Sequence, residues 1–200
     1  MVENIREPKQ QRAIKKKDKI IEVGFNLICK NGYYNTNTAE IAKEADVSTG
    51  IVYQYFKDKN DILLEGLYKF GDNIFFPILT LDLSNYDIKN FDNDLTNLIS
   101  SQIKNHKLSQ SAHEEITAMI HTDPNVAKYF YDKEYEVTEK IKDLLVKNGY
   151  EDEHLLEIVH IIIGLIDNLC HEIIYHKHKN INYDAMTNIT IDIIKNLFKK

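Results

Sequence analysis

Apolar residues recur along most of the chain with the three-to-four-residue spacing of amphipathic helices. No stretch shows the strict alternation of apolar and polar residues that marks a half-buried β-strand. The pattern therefore predicts an all-α fold. Beyond residue 59, the predicted helices span roughly 60–76, 87–105, 109–119, 124–148, 152–177 and 183–198.

The first 59 residues contain shorter elements. A helix predicted from about 12 to 30 is followed by two short helices. Asn37 is placed to cap the first of these, with Glu40 as its capping-box partner, and Ser48 is placed to cap the second, which ends near residue 56. Two short helices joined by a turn of three or four residues form a helix-turn-helix.

Charge is distributed unevenly between the two parts of the chain. The formal net charge of −6 argues by itself against a nucleic-acid partner. Residues 1–59, however, hold 11 Lys and Arg against 8 Asp and Glu, a balance of +3, whereas residues 60–200 hold 14 against 23, a balance of −9. This asymmetry favours a basic binding domain at 1–59, followed by an acidic domain at 60–200.

The last of the three N-terminal helices carries polar residues that a core helix would not use. It reads STGIVYQYF, so small and polar residues stand at its start. An α-helix fits the major groove of B-DNA, and small residues at its N-terminal end let its backbone approach the base edges. This predicts base contacts from Thr49, Gly50, Tyr53 and Gln54.

A further set of residues lies where the phosphates of a bound duplex should pass. Hydroxyl and ammonium groups hold phosphates and fix the register, but they carry no base information. The N-terminus of the preceding helix adds backbone N–H donors. We expect phosphate contacts from Thr36, Thr38, Ser48, Tyr55, Lys57 and Lys59.

Residues 32–63 read GYYNTNTAEIAKEADVSTGIVYQYFKDKNDIL. The order of Gly-Tyr, Thr, Ile-Ala, Ala-x-Val-Ser, Gly, Tyr-x-Tyr-Phe, Lys and Ile-Leu resembles the N-terminal domain of the TetR/AcrR family of bacterial repressors. The matching residues are Gly32, Tyr33, Thr36, Ile41, Ala42, Ala45, Val47, Ser48, Gly50, Tyr53, Tyr55, Phe56, Lys59, Ile62 and Leu63. The chain departs at Asp46, usually glycine in the family, and at Thr49, often lysine or arginine.

The resemblance, which covers roughly residues 12–65, implies an architecture and a function. Such proteins are homodimers that bind a near-palindromic operator in double-stranded DNA through three N-terminal helices. About six further helices bind a small-molecule inducer and dimerise, and inducer binding releases the DNA. The resemblance thus implies a DNA-binding domain at 1–59, a ligand-binding and dimerisation domain at 60–200, and a repressor without enzymatic activity or cofactor.

The segment 153–178, EHLLEIVHIIIGLIDNLCHEIIYHKH, is apolar almost all round, which predicts a buried helix. In the family that the chain resembles, the last two long helices form the dimer interface. The resemblance therefore implies dimer contacts from Ile162, Leu165, Ile166, Leu169, Ile173, Ile189 and Ile193, with Ile161, Ile194 and Leu197 as further candidates.

Polar residues on the same helix recur three or four positions apart and so form one stripe. They are His160, Gly164, Asp167, His171 and Tyr175, with Asn168 beside them. Buried polar groups are costly unless they are paired. Three interpretations stay open: an inducer pocket, a polar seam at the dimer interface, and an internal ladder of hydrogen bonds.

Other classes of function are weaker alternatives. A metal-dependent helical-bundle enzyme is one, because Glu157 and His160 have the spacing of a di-iron ligand pair. Such a site needs a second motif and two more glutamates, so no metal site is predicted. An activator, or a regulator that responds to no ligand, would keep the DNA-binding domain.

Cellular location follows from the apolar runs and the cysteines. The first 20 residues are basic and polar, so they do not resemble a signal peptide, and the longest apolar run of the sequence, 158–170, is too short and too polar to span a bilayer. We expect a cytoplasmic protein with no membrane partner. Cys29 and Cys170 fall in apolar helical patterns and are predicted to be reduced core residues.

Overall fold

The computed structural model describes residues 10–82, 91–108 and 110–198. These ranges contain helices and no β-strand, so the predicted all-α fold is confirmed. The α-helices are α1 (Gln11–Asn31), α2 (Thr38–Glu44), α3 (Thr49–Tyr55), α4 (Lys59–Gly66), α5 (Asp72–Phe75), α6 (Phe91–Leu108), α7 (Gln110–Ile120), α8 (Pro124–Lys147), α9 (Leu155–Ile174) and α10 (Tyr183–Leu197).

Most predicted bounds agree with the observed helices to within a few residues. The helix predicted at 60–76 is divided, because a π-helical turn (Leu67–Gly71) joins α4 to α5. A short 3₁₀ helix (Pro77–Thr80) follows α5. The helix predicted from residue 87 is described as Phe91–Leu108, and residues 83–90 lie outside the described residues.

The two short N-terminal helices begin after the residues predicted to cap them. Asn37 Oδ1 accepts a hydrogen bond from the backbone N–H of Glu40 at 2.9 Å. The Glu40 carboxylate accepts one from Asn31 Nδ2 at 3.4 Å, which ties α2 to the end of α1. Ser48 occupies the cap position of α3 with an extended backbone, although its hydroxyl makes no capping hydrogen bond.

The turn between α2 and α3 contains a residue in the left-handed conformation. Asp46 has φ 58°, and among the described residues it is the non-glycine residue with a positive φ. The N–H of Val47 then donates to the carbonyl of Ala42 at 2.9 Å and closes the turn. Aspartate tolerates this conformation better than most residues. Asp46 therefore preserves a geometry that glycine usually provides in the family that the chain resembles.

Contacts divide the described chain into two compact units. The first comprises residues 10–74 and 110–131. In this unit α1 packs against α2, α3, α4 and α7. Full burial of a large apolar side chain, such as isoleucine or phenylalanine, contributes roughly 1.5–3 kcal/mol to the free energy of folding. The core of the helix-turn-helix consists of Ile20, Ile21, Ile41, Ala42, Ala45, Val52, Tyr55, Phe56 and Ile62.

The second unit comprises the described residues of 75–108 and 132–198. Here α9 packs against α6 and α10. One core cluster consists of Leu95, Ile99, Ile162, Ile166, Leu169, Cys170, Ile191 and Ile194. A smaller one joins Leu145 of α8 to Leu155 and Val159 of α9.

This division differs from the boundary between residues 59 and 60 that the sequence suggests. α4 and α7 pack with the helix-turn-helix in the first unit. The assignment of 1–59 to DNA binding and of 60–200 to ligand binding and dimerisation stays a prediction. Each helix in the described ranges is too short or too polar to cross a membrane.

Candidate nucleic-acid interface

The outer face of α3 presents a continuous set of exposed residues. Ser48, Thr49, Gly50, Tyr53 and Gln54 are all exposed. A Cβ built on Gly50 would meet nothing nearer than Ser48 Oγ at 3.9 Å, so the start of the helix is open to a close approach. The four residues predicted to contact bases therefore share one accessible face, and their contact with DNA stays a prediction.

Tyr55 is oriented differently from the sequence expectation. A phosphate contact is predicted for Tyr55, but its side chain is only 7% exposed. Val52, Tyr55 and Phe56 are three and four residues apart, so all three share the inner face of α3. Tyr55 is therefore mainly a core residue of the helix-turn-helix, and its phosphate contact stays a prediction.

The predicted role of Thr36 also has to be corrected. Its side chain is 1% exposed, and its hydroxyl donates to the carbonyl of Gly32 at 2.9 Å. The hydroxyl stabilises the loop between α1 and α2 and faces the protein interior. The predicted phosphate contact by the Thr36 hydroxyl is therefore wrong.

Lys59 also has an internal role. Its Nζ donates to the carbonyls of Tyr33 at 2.5 Å and Thr36 at 2.9 Å, and it lies 4.1 Å from the centroid of the Tyr33 ring. Burial lowers the pKa of Lys59 below its ordinary value, although the nearby Glu115 carboxylate acts to raise it. Two of its three N–H donors bind the loop, which leaves one for the phosphate contact, and that contact stays a prediction.

Thr38, Ser48 and Lys57 remain accessible for phosphates. Thr38 Oγ1 lies 3.0 Å from Tyr53 Oη, so a hydroxyl pair connects the first residue of α2 with the outer face of α3. The Lys57 side chain is exposed, while its backbone N–H donates to Asp61 Oδ2 at 2.8 Å. The ammonium group of Lys57 therefore provides an exposed positive charge two residues beyond the end of α3.

Two carboxylates distant in sequence contact this region, and no local pattern indicated either of them. Glu115 of α7 accepts a hydrogen bond from the backbone N–H of Tyr34 at 3.0 Å, across 81 positions. Asp123 accepts one from Asn60 Nδ2 at 2.7 Å. Although desolvation acts to raise it, hydrogen bonds from the Val126 N–H, Asn60 and the Asn125 N–H lower the pKa of Asp123.

The polar stripe of α9 lies on the outer side of that helix. His160, Gly164, Asp167 and Asn168 are exposed, and His171 and Tyr175 are half-buried. His171 Nε2 lies 3.7 Å from Asp167 Oδ2, and His160 Nδ1 lies 3.3 Å from Thr138 Oγ1. The stripe lines neither of the clefts described below. The interpretations of the stripe as an inducer pocket, as a seam at the dimer interface and as an internal ladder stay predictions.

The residues predicted for the dimer interface separate into two groups. Ile162, Ile166 and Leu169 are buried in the core of their own chain, which corrects their assignment. Leu165 and Ile173 are half-buried, and Ile189 and Ile193 are exposed. Because α9 is apolar almost all round, its sequence did not indicate which apolar side faces its own core.

Two surface clefts lie in the second unit. The larger has a volume of about 540 Å³ and lies where α8 is followed by α9. It is lined by Lys142, Val146, Tyr150, Glu151, Asp152, Glu153, Leu155 and Leu156. The smaller, of about 320 Å³, is lined by Ile103, Ile173, Lys177, Tyr183, Asp184, Thr187 and Asn188.

The two cysteines are free thiols, Cys29 half-buried and Cys170 buried. Burial raises the pKa of Cys29 to about 12. Burial, with the nearby Asp167 carboxylate, raises the pKa of Cys170 to about 12 as well. Neither thiol ionises near neutral pH, so neither is suited to act as a nucleophile.

Sequence comparison with known proteins finds similarity in the N-terminal region. A sequence profile described as bacterial regulatory proteins, tetR family, matches residues 20–65. HbdR, an HTH-type transcriptional regulator of Aromatoleum sp. (strain CIB), is 50% identical over 48 residues, which are 24% of this chain and 21% of HbdR. The similarity thus spans about a fifth of the length of that curated relative.

Solved structures extend the similarity to nearly the whole chain. A TetR-family regulator of Mesorhizobium loti has a TM-score of 0.71 and 18% identity, with 96% of this chain and 100% of that chain covered. A transcriptional regulator of Saccharomonospora viridis in complex with choline has a TM-score of 0.67 and 20% identity, with 91% and 96% covered. At these identities the similarity shows a shared fold.

Proposed function

The chain belongs to the TetR family of bacterial regulatory proteins, and we propose that it is a ligand-responsive repressor that binds a near-palindromic operator as a homodimer. The observation that carries this proposal is the exposed face of α3, where Thr49, Tyr53 and Gln54 surround the open position of Gly50. This is the arrangement that a recognition helix needs in order to enter a major groove. The protein acts by binding and not by catalysis.

Residues of α3 and residues beside it have different roles in this proposal. The Gln54 side-chain amide forms a bidentate pair with an adenine edge, and Thr49 contacts a thymine methyl group or a base edge. Thr38, Ser48 and Lys57 hold phosphates and so fix the register. Because Thr49 replaces the lysine or arginine common in the family, the operator differs from those read with a cation at this position.

The outer faces of α9 and α10 form the dimer interface. Ile161 on α9 is 57% exposed, and Ile189 on α10 is 59% exposed. Ile189, Ile193 and Leu197 are four residues apart and form one apolar stripe along α10. Contact with a second copy removes this surface from water. The polar stripe of α9 then becomes a polar seam at the interface.

The larger cleft of the second unit is the proposed inducer site. Tyr150 and Leu155 provide apolar contact, and Glu151, Asp152 and Glu153 provide negative charge. An aromatic ring and carboxylates together can bind an organic cation, the ring through a cation–π contact and the carboxylates through opposite charge. The choline complex of the similar Saccharomonospora viridis regulator makes choline a suitable first probe. Choline should raise the melting temperature of the wild type more than that of Glu151→Gln, with Glu139→Gln as the control.

A selection from random duplexes tests the DNA-binding proposal without knowledge of the target gene. The purified protein is incubated with a random duplex library, and bound DNA is amplified over several rounds. The expected result is one near-palindromic motif whose half-sites lie about one helical turn apart or somewhat more. If the selected pool stays random at low salt, the proposal is wrong.

A further inference from the structure

A carboxylate of α7 holds the loop between α1 and α2, residues 32–37. Glu115 Oε2 accepts the hydrogen bond from the backbone N–H of Tyr34 at 3.0 Å. The carboxylate also lies against Gly32, where an added Cβ would stand 2.8 Å from Glu115 Oε1. Gly32 has φ 93°, a conformation that L side chains rarely adopt. Glycine thus provides both the turn and the space that the carboxylate occupies.

The same loop is held by a cation. Lys59 of α4 donates to the carbonyls of Tyr33 and Thr36. Glu115 and Lys59 therefore bind the same Tyr33–Tyr34 peptide unit, Glu115 through its N–H and Lys59 through its carbonyl. The loop ends at Asn37, which caps α2. The position of this loop consequently sets the position at which α2 begins, and α2 is joined to α3 by the hydroxyl pair of Thr38 and Tyr53.

A second contact connects the segment after α7 with α4. Asp123 precedes α8 and accepts a hydrogen bond from Asn60 Nδ2 at 2.7 Å, and Asn60 follows Lys59 in the first turn of α4. α7 itself packs against α1. α1 and the 32–37 loop are thus attached to α7 through packing and through the Glu115 carboxylate, and α4 is attached through Asp123 to the segment that follows α7.

We propose that Glu115 is a positioning residue for DNA binding, which holds the 32–37 loop so that α2 and α3 are presented together to the operator. This role rests on the proposed function, because it has meaning only if α3 reads DNA. Glu115 itself touches no base or phosphate. It acts through the backbone of Tyr34, and its loss releases the loop from α7.

Loss of the Glu115 charge and loss of its positioning role have opposite effects on DNA affinity. Removal of a negative charge from a DNA-binding unit reduces repulsion of phosphates and so favours binding to any duplex. Release of the loop adds a conformational cost to operator binding. A weaker operator complex after Glu115→Ala therefore cannot arise from the change in charge.

Three variants separate these effects. Glu115→Ala removes the hydrogen-bond acceptor. Glu115→Gln keeps an acceptor oxygen but removes the charge. Glu114→Ala removes the same charge from the adjacent, exposed position of α7 and is the matched control. Each variant is titrated against the selected operator and a scrambled duplex, at a temperature where its melting curve shows a folded protein.

We expect Glu115→Ala to bind the operator about 5- to 150-fold more weakly, the range of typical coupling energies, with unchanged or tighter binding to the scrambled duplex. Glu115→Gln should recover most of the operator affinity, and Glu114→Ala should match or slightly exceed the wild type. Hydrogen exchange of the Tyr34 amide should be faster in Glu115→Ala than in Glu114→Ala, because its carboxylate acceptor is lost.

The contradicting results are distinct from failure of the proposed function. If the wild type prefers the operator and Glu115→Ala binds it equally well, the positioning role is wrong while the repressor proposal stands. The positioning role is also wrong, and the repressor proposal again stands, if Glu115→Ala lowers the affinity for both duplexes by the same factor. If the wild type itself shows no preference between the duplexes, the proposed function fails, and the positioning role fails with it.

Discussion

Lys59 Nζ donates to the carbonyl of Tyr33 at 2.5 Å and lies 4.1 Å from the centroid of the same tyrosine's ring. A lysine expected to hold DNA therefore stabilises its own protein. Hydrogen bonds that involve a charged group contribute about 1.5–3 kcal/mol each. Because Lys59 is only half-buried and solvent screens both bonds, we expect Lys59→Met to lower the free energy of unfolding by about 1–3 kcal/mol in urea titrations, less than the sum of two such contributions.

Lys57→Met provides the matched comparison, since the Lys57 side chain is exposed. It should change the free energy of unfolding by less than about 0.5 kcal/mol, as is usual for surface substitutions. It should weaken binding to all duplexes and reduce the salt dependence of binding. Equal stability of the two variants would show that the contacts of Lys59 contribute little.

Gly50→Ala tests whether the start of α3 approaches DNA closely. The new methyl group has room in the free protein, because its nearest neighbour would be Ser48 Oγ at 3.9 Å. Alanine also favours a helix over glycine by up to about 1 kcal/mol, so the melting temperature should stay equal or rise. Operator affinity should fall at least about tenfold in anisotropy titrations. Unchanged affinity would place α3 farther from the bases than proposed.

Asp46 tests the strain in the turn between α2 and α3. With φ 58°, this position suits glycine and penalises a residue that has a Cβ but no polar side chain. Asp46→Ala should lower the free energy of unfolding by about 1 kcal/mol, whereas Asp46→Gly should be neutral or slightly stabilising. Chemical unfolding of the three proteins measures this order. If alanine were as stable as glycine, the turn would not require the left-handed conformation.

Ile193 tests the dimer interface. It is 44% exposed on the outer stripe of α10. Ile193→Asp should raise the dimer dissociation constant at least about tenfold in sedimentation equilibrium, because a charge would enter an apolar contact. Val146→Asp introduces the same charge at an exposed apolar position of α8 and should leave the dimer intact. A fully dimeric Ile193→Asp variant would contradict the proposed interface.

Local sequence patterns predicted most of the fold. Periodicity located the helices, and cap residues such as Asn37 located the beginnings of the short ones, because both signals depend on near neighbours in the chain. The exposure of Thr49, Gly50, Tyr53 and Gln54 also agrees with the expected outer face of α3.

Interactions between distant residues could not be predicted in this way. The sequence did not indicate the internal hydrogen bonds of Thr36 and Lys59, because their partners, the carbonyls of Gly32 and Tyr33, belong to a loop whose shape no local pattern encodes. Glu115 contacts Tyr34 across 81 positions. Ile162 and Ile166 looked equivalent to Ile161, because a helix with apolar residues on all sides does not indicate which side meets its own core.

Sequence-specific DNA binding is the central claim, and fluorescence anisotropy tests it most directly. The wild type is titrated against the selected duplex and a scrambled duplex over a salt series. The proposal predicts two protomers on each selected duplex, a preference of at least about a thousandfold, and an affinity that falls as salt rises. Equal affinity for the two duplexes at every salt concentration would contradict it.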